Sequence, residues 1–317
     1  MVRFGGLEHA EINGDTDLTQ EESRLYARMR WREIRACLVD SLPLERIDIG
    51  ESREFFRELL QLEPAASPGR HYTNLALNLL ARQYCPPRAD ILDVGCGGAG
   101  FVKRLEQCSI SGTYLGVDIQ EYESWHAVRA RLGPLRAGFV VSPAEHLDLH
   151  DRFDFVLCSH SLEHQEWPLE SLRRIRAALK PGAYGVFFVP APWSYLLYGP
   201  HGWRYFSRGL LDRSCREAGF QVEKIYGMGG FFSFLLHLVF IAWLETALIF
   251  DVLAGGRVHW RLRQLLQSMR FQSIRKNRIS LASYRGLSRI LLTADRYLPR
   301  PHHSYCIVVR RPTDGER

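Results

Sequence analysis

The segment ILDVGCGGAGFVKRL, residues 91–105, sets one acid and a run of glycines around a single turn, and a second acid, Asp118, closes the next apolar run, YLGVDI. Gly95 and Gly97 lack a Cβ, so the backbone after the first strand can approach a ligand closely. Gly100 completes G-x-G-x-x-G, a spacing that also serves dinucleotides and decides little alone. The acids discriminate further. Asp93 would repel a pyrophosphate and attract an ammonium group. Asp118, at the end of the following strand, is placed to accept both hydroxyls of a ribose. Further along, His160, Glu163 and His164 form H-x-x-E-H, and His201 lies in YGPHGWRYFS. A hydroxyl nucleophile must lose its proton, and imidazole is the side chain suited to accept it near neutral pH.

These residues need a scaffold, and the hydropathy pattern describes one. From Ala89 the chain alternates near-continuous apolar runs (ADILDVG, TYLGVDI, GFVVSP, FDFVLCSH, AYGVFFVP) with helical stretches. In PLESLRRIRAALKPG, Leu169, Leu172, Ile175 and Leu179 line one helical face and Pro-Gly ends it. SRGLLDRSCREAGF and QVEKIYG add a helix and a sixth strand, and SYCIVVRR a seventh. Apolar strands separated by amphipathic helices indicate a parallel sheet covered on both faces. Residues 1–85 read as a polar, helical cover in which SPGRHYTNLALNLLARQYCPPR holds one helix, with Leu75, Leu79 and Leu80 at helical spacing. No internal repeat or low-complexity segment interrupts the pattern.

A ligand that is an adenosine at one end and carries an ammonium at the other is S-adenosylmethionine (SAM), and the acids select it. ILDVGCGGAG, YLGVDI, SPAEHL, FDFVLCSHSLEH and LRRIRAALKPGA occur in the order found in class I SAM-dependent methyltransferases. The resemblance is strongest to the group containing quinone and small-molecule methyltransferases, and covers residues 70–228 and the last strand. It implies an α/β fold: a Rossmann-like seven-stranded sheet with helices on both faces, its last strand antiparallel between the fifth and sixth. It implies that Asp93, Gly95 and Gly97 face the methionine part, Asp118 holds the ribose and Ile119 packs on the adenine. Ala144 and Glu145 would meet the adenine edge, with Ser159 and His160 beside the sulfonium. One residue departs from the family's D-x-G-x-G-x-G: Ala99 stands at the third glycine position.

For the chemistry, His160, His164 and His201 are the candidate catalytic residues. Some related quinone O-methyltransferases bind a divalent metal with a carboxylate-rich version of the turn at 160–164. Here histidine opens that turn, and the alternative is a structural turn with Glu163 capping or pairing, so no metal is assigned. Trp193, Tyr195, Trp203 and Tyr205 could wall a flat or lipid-like substrate or pack their own loop, and Arg204 could meet an acidic substrate group or a carbonyl.

The net charge of +6 is unevenly distributed: residues 255–317 hold 14 Lys and Arg against 3 acids, so the rest of the chain is negative. A basic end on an acidic body points to a localised anionic partner. FFSFLLHLVFIAWLETALIF, residues 231–250, is long enough to span a bilayer. A single crossing would separate the sixth and seventh strands, which must share one sheet, so the stretch is expected to be buried, re-entrant or interfacial. RVHWRLRQLLQSMRFQSIRKNR follows, with Val258, Leu262, Leu265, Leu266 and Met269 on one helical face among arginines. An apolar segment beside a basic amphipathic one reads as an anchor on an anionic membrane surface. The competing readings are a soluble lid or dimer surface and, least supported because no RNA-binding module occurs, a nucleic-acid patch.

The resulting expectation is a SAM-dependent methyltransferase, favouring O-methylation, whose acceptor is a lipophilic or lipid-linked small molecule or sugar. Its alternatives are a soluble small-molecule methyltransferase and a non-catalytic SAM-fold binding module; an aminopropyltransferase would need an acidic polyamine pocket that is not evident. The organisation expected is 1–85 cover, 86–228 SAM-binding domain, 229–303 apolar and basic insertion, and 304–317 final strand and tail. Seven scattered cysteines without a C-x-x-C pair fit neither a disulfide framework nor a structural zinc site. Cys96 and Cys158 read as small buried side chains. With a polar, acidic opening segment, a cytoplasmic location is expected, peripheral on the inner membrane face.

Overall fold

The computed structural model describes residues 67–198, 204–240 and 286–315 except 289 and 314, together with residues 28, 32, 35, 42, 44–46 and 57. The second half of the apolar stretch and the basic segment around 257–278, expected to be an amphipathic helix, lie outside the described residues, as does most of the N-terminal cover.

Among the described residues, eight strands form one sheet. They are β1 (Glu45–Arg46), β2 (Arg88–Val94), β3 (Ser111–Asp118), β4 (Leu135–Val141), β5 (Phe153–Ser159), β6 (Leu179–Pro190), β7 (Gln221–Met228) and β8 (Ser304–Arg310). The order is β1-β7-β8-β6-β5-β2-β3-β4. From β2 onward this is the expected seven-stranded Rossmann-like arrangement, with the last strand inserted between the fifth and sixth. The two-residue β1, parallel to β7 at Tyr226 and Gly227, is an addition at the edge. The inner pairs β2–β3, β2–β5, β3–β4 and β5–β6 are parallel. Strand β8 runs the other way: Gly182 N–H donates to Arg311 O at 2.8 Å, whereas Ala191 N–H, farther along the chain, donates to His303 O at 3.1 Å. Ile91, Leu92, Phe155, Val156, Leu157, Val186, Phe187, Ile307 and Val308 are fully buried. These strands are apolar without alternation because both faces are covered.

Helix α1 (Pro68–Tyr84) occupies the expected segment, but its buried leucines are Leu75, Leu77 and Leu80, with Leu79 only half-buried. Helices α2 (Phe101–Gln107) and α3 (Ser124–Ala130) follow β2 and β3. Helix α4 (Pro168–Ala178) buries Leu172 and Ile175, but Leu179 belongs to the next strand and not to the helical face. Leu179 pairs with Phe153, and its carbonyl accepts a hydrogen bond from the Arg311 guanidinium. The helix therefore ends before Pro181, and Lys180, preceding the proline, takes the extended conformation favoured there. Helix α5 (Tyr195–Tyr198), α6 (Arg208–Glu217) and α7 (Phe231–Phe240) complete the named helices, and residues 286–288 and 290–294 are also helical.

The chain divides into two compact units, one of residues 76–189, 208–225 and 306–317, the other of 1–75, 190–207 and 226–305. In the second unit a buried polar cluster fixes the start of α7. Asp295 Oδ1 accepts the N–H groups of Phe232 (2.8 Å) and Ser233 (3.0 Å), and Oδ2 accepts the Tyr72 hydroxyl (2.5 Å). A carboxylate there satisfies donors that a helix N-terminus leaves unpaired. Gly230 is required beside it, since a Cβ would stand 2.6 Å from the Leu298 carbonyl. Ser233 Oγ contacts His303 Nε2 at 2.7 Å. Consequently Ser233 and His237 point into the protein, whereas Phe231 and Leu235 are exposed. Helix α7 thus buries Ser233 and His237 together with Phe234 and Leu236, and shows Phe231 and Leu235.

Burial depresses the His303 imidazole from 6.5 to about 3. The native state therefore binds fewer protons than the unfolded chain between those values, and stability falls as pH drops through that window. The slope is at most about 1.4 kcal/mol per pH unit. His303→Gln, which keeps a polar contact for Ser233, should flatten the decline in Tm between pH 6.5 and 4. Equal slopes in melts of both proteins would remove His303 as the linked group.

Candidate functional site

The site is built where β2 and β3 end. Gly95 N–H and Cys96 N–H both donate to Val117 O, at 2.8 and 3.1 Å, tying the glycine loop to β3. Gly95 adopts φ +72°, and its missing Cβ would stand 2.1 Å from Ser161 Oγ. Any side chain there would be both conformationally strained and in collision. Around Gly97 no atom lies within 4 Å of where a Cβ would stand, leaving an open cradle above the loop. Ala99 has φ +59°, so the substituted position keeps the glycine-like conformation, with its methyl buried.

Asp118 Oδ2 accepts Gly97 N–H at 2.8 Å, so the carboxylate expected at the ribose also shapes the loop. The indole of Trp125 donates to Gly97 O at 2.7 Å from the far side. Asp93 is fully buried, and its Oδ2 accepts the Tyr114 hydroxyl at 2.5 Å. Burial, reinforced by Asp93, holds the Tyr114 phenol well above its usual 10, so it is a neutral donor. Cys96 is buried in the loop, and burial first, then Asp93 and Asp118, push its thiol far above the ordinary range. Cys158 is likewise buried and protonated. Neither is a nucleophile.

Ile119 is two-thirds exposed beyond the end of β3. Ala144 is buried in a short turn at 144–146, and Glu145 Oε1 accepts Trp167 N–H at 3.2 Å. Ser159 ends β5, buried. His160 follows with φ +51°, its N–H donating to Phe188 O at 2.8 Å. Histidine tolerates this left-handed backbone better than most residues, and such positions often coincide with functional sites. Residues Leu162–His164 form a single 3-10 turn that places the fully buried Glu163 beside both histidines. His160 Nδ1 lies 3.5 Å and His164 Nε2 4.0 Å from Glu163 Oε1. Among the described residues no group of three or more His, Cys, Asp or Glu is arranged to hold a metal ion.

His201 and Trp203 lie outside the described residues. Tyr195 and Tyr205 are buried and meet edge to face at 6.1 Å, so they pack their own loop; Trp193 and Arg204 are half-buried. Three contributors escaped the sequence reading: Tyr114, Trp125 and Ser161; the pairing of Glu163 was among its alternatives. For Tyr114 a signal existed, because a tyrosine inside an apolar strand needs a partner for its hydroxyl.

An open cradle over Gly97, a carboxylate at the end of β3 and a buried carboxylate beneath the loop fit an adenosine that carries an amino acid. Residues 69–225 match the family model described as a methyltransferase domain. This part of the chain belongs to the class I SAM-dependent methyltransferases. The chain is 29% identical over 164 residues to the ubiquinone biosynthesis O-methyltransferase of Nitrosospira multiformis, covering 44% of this chain and 65% of that protein. It is 27% identical over 156 residues to the enzyme of the same name from Alkalilimnicola ehrlichii, covering 44% and 63%. The chain thus spans just under two thirds of the length of these relatives. Among solved structures, a Burkholderia thailandensis 1,6-didemethyltoxoflavin-N1-methyltransferase with bound S-adenosylhomocysteine aligns at 16% identity and a TM-score of 0.45, covering 94% and 93%.

Proposed function

We propose that this chain is a SAM-dependent O-methyltransferase whose acceptor is lipophilic or lipid-linked, such as a quinone precursor or a polyprenyl-linked sugar. We further propose that it works at an anionic membrane surface facing the cytoplasm. The observation that carries the catalytic reading is the joining of Asp93, Gly95, Gly97 and Asp118 around one open cradle. The names of the two bacterial relatives support oxygen as the atom methylated. The surface reading is supported by Phe231 and Leu235, exposed on α7, by Ile290 and Tyr297, also exposed, and by the basic excess of residues 255–317. No helix among the described residues is long and apolar enough to cross a membrane. In this reading residues 1–85 are the cover, 86–228 hold the cofactor, 229–303 contact the membrane and 304–317 complete the sheet.

Bound SAM supplies a methyl group on a sulfonium, ready for in-line displacement. The chain's work is then positional. Asp93 and the Gly95–Gly97 backbone hold the ammonium end, and Asp118 the ribose. Ile119, Ala144 and Glu145 border the adenine, and Ser159 borders the sulfonium. His160 accepts the proton of the acceptor hydroxyl, and Glu163, 3.5 Å from Nδ1, orients the ring. His164 and His201 are the further candidates for proton handling.

The test uses SAM labelled in its methyl group and a demethylated polyprenyl quinol in vesicles containing phosphatidylglycerol. Label should appear in the lipid extract, and the protein should sediment with the vesicles. Salt should weaken sedimentation without abolishing it, because arginine contacts of about 1 kcal/mol each are screened and apolar burial is not. Label confined to a water-soluble acceptor, without sedimentation, would favour the lid or dimer surface. SAM binding with no methylated product from any acceptor would leave a binding module.

A further inference from the structure

We propose that Tyr114 is the positioning residue that makes Asp93 selective for the amino-acid end of the cofactor. This rests on the SAM reading and extends it to a residue outside the ligand's expected contacts. In the parallel β2–β3 pair, Ile91 stands opposite Tyr114 and Asp93 opposite Gly116. Gly116 has no side chain, and a Cβ there would collide with Cys96 Sγ at 2.7 Å and with the Phe139 ring. The Tyr114 phenol reaches diagonally to Asp93, its hydroxyl donating to Oδ2 at 2.5 Å, while Cys96 and Phe139 fill the place of a Gly116 side chain.

The phenol is itself braced. Its ring meets Phe139 edge-on at 6.1 Å, and Phe139 stacks on Trp125 at 4.7 Å and 10°. Trp125 in turn holds Gly97 O. One aromatic row thus joins the two points of the loop expected to meet the ligand, the Asp93 carboxylate and the Gly97 backbone. A hydrogen bond donated to a carboxylate favours its charged form, which burial otherwise disfavours. Without the hydroxyl, Asp93 would tend towards the neutral acid, which does not attract an ammonium. The adenosine end, held by Asp118, would be untouched.

Calorimetry with two ligands separates these effects: S-adenosylhomocysteine carries the ammonium, and 5′-methylthioadenosine lacks it. Tyr114→Phe should weaken S-adenosylhomocysteine at least about tenfold and methylthioadenosine less than about twofold, the loss expected for one charge-assisted hydrogen bond. Asp93→Asn should produce the same loss of selectivity, and the double variant should be no worse than Asp93→Asn alone. If Tyr114→Phe does not fold, Phe139→Leu, which keeps the hydroxyl but loosens its support, should shift selectivity in the same direction by a smaller factor. Equal weakening of both ligands, or additive losses in the double variant, would overturn the proposal and reduce Tyr114 to a core residue. Wild-type protein binding neither ligand would instead sink the SAM reading itself.

Discussion

Asp118→Ala should raise the Kd for SAM by about two orders of magnitude. Charge-assisted hydrogen bonds are worth roughly 1.5–3 kcal/mol each, and on the proposed reading two ribose hydroxyls share this acceptor. Part of the loss is recovered because those hydroxyls can turn to water. The variant also strips the Gly97 N–H of its partner at 2.8 Å, so the loop loses its link to the end of β3. Asp118→Asn separates the two contributions, since an amide oxygen can still accept from Gly97 but carries no charge. It should fall between wild type and alanine. Unchanged SAM affinity in a folded Asp118→Ala protein, measured by calorimetry, would end the ribose assignment.

Removing the His160 imidazole should lower turnover by roughly 10²–10⁴, the range for losing a positioned general base, with SAM affinity nearly unchanged. The replacement matters because His160 has φ +51°. Alanine would add backbone strain, whereas asparagine accepts this conformation, so His160→Asn is the cleaner variant. Equal rates for wild type and variant at neutral pH would reduce His160 to a wall of the site. Loss of activity on chelation with restoration by magnesium would instead give His160, Glu163 and His164 a metal-binding role.

Much of this molecule could be read from the chain because the signals are local. ADILDVG, TYLGVDI and FDFVLCSH are strands by their own composition, and the acids and glycines at their ends stand at fixed distances along the chain. The order of these segments sufficed to place Asp93, Gly95, Gly97 and Asp118 around one loop. Boundaries were less legible. Leu179 fits a helical face by spacing, yet its pairing with Phe153 and the Arg311 contact draw it into β6. Both partners are remote in sequence, and neither leaves a trace near residue 179.

The same distinction divides the site. Sequence alone determined which groups could meet a cationic adenosine, since residue type and adjacency to a strand end carry that information. Tertiary structure decided what stands behind them. Ser161 fills the place of a Gly95 side chain, Cys96 and Phe139 fill that of Gly116, Tyr114 reaches diagonally to Asp93, and Glu163 lies between two histidines because its turn is 3-10. It also decided which face of α7 is turned inward. Ser233 and His237 are buried beside Phe234 and Leu236 while Phe231 and Leu235 are exposed, with Ser233 bound to His303 and α7 begun by Asp295. A buried polar partner some 60–70 residues away in sequence weighs as heavily as an apolar side chain, because leaving it unpaired costs about as much as such a side chain gains on burial.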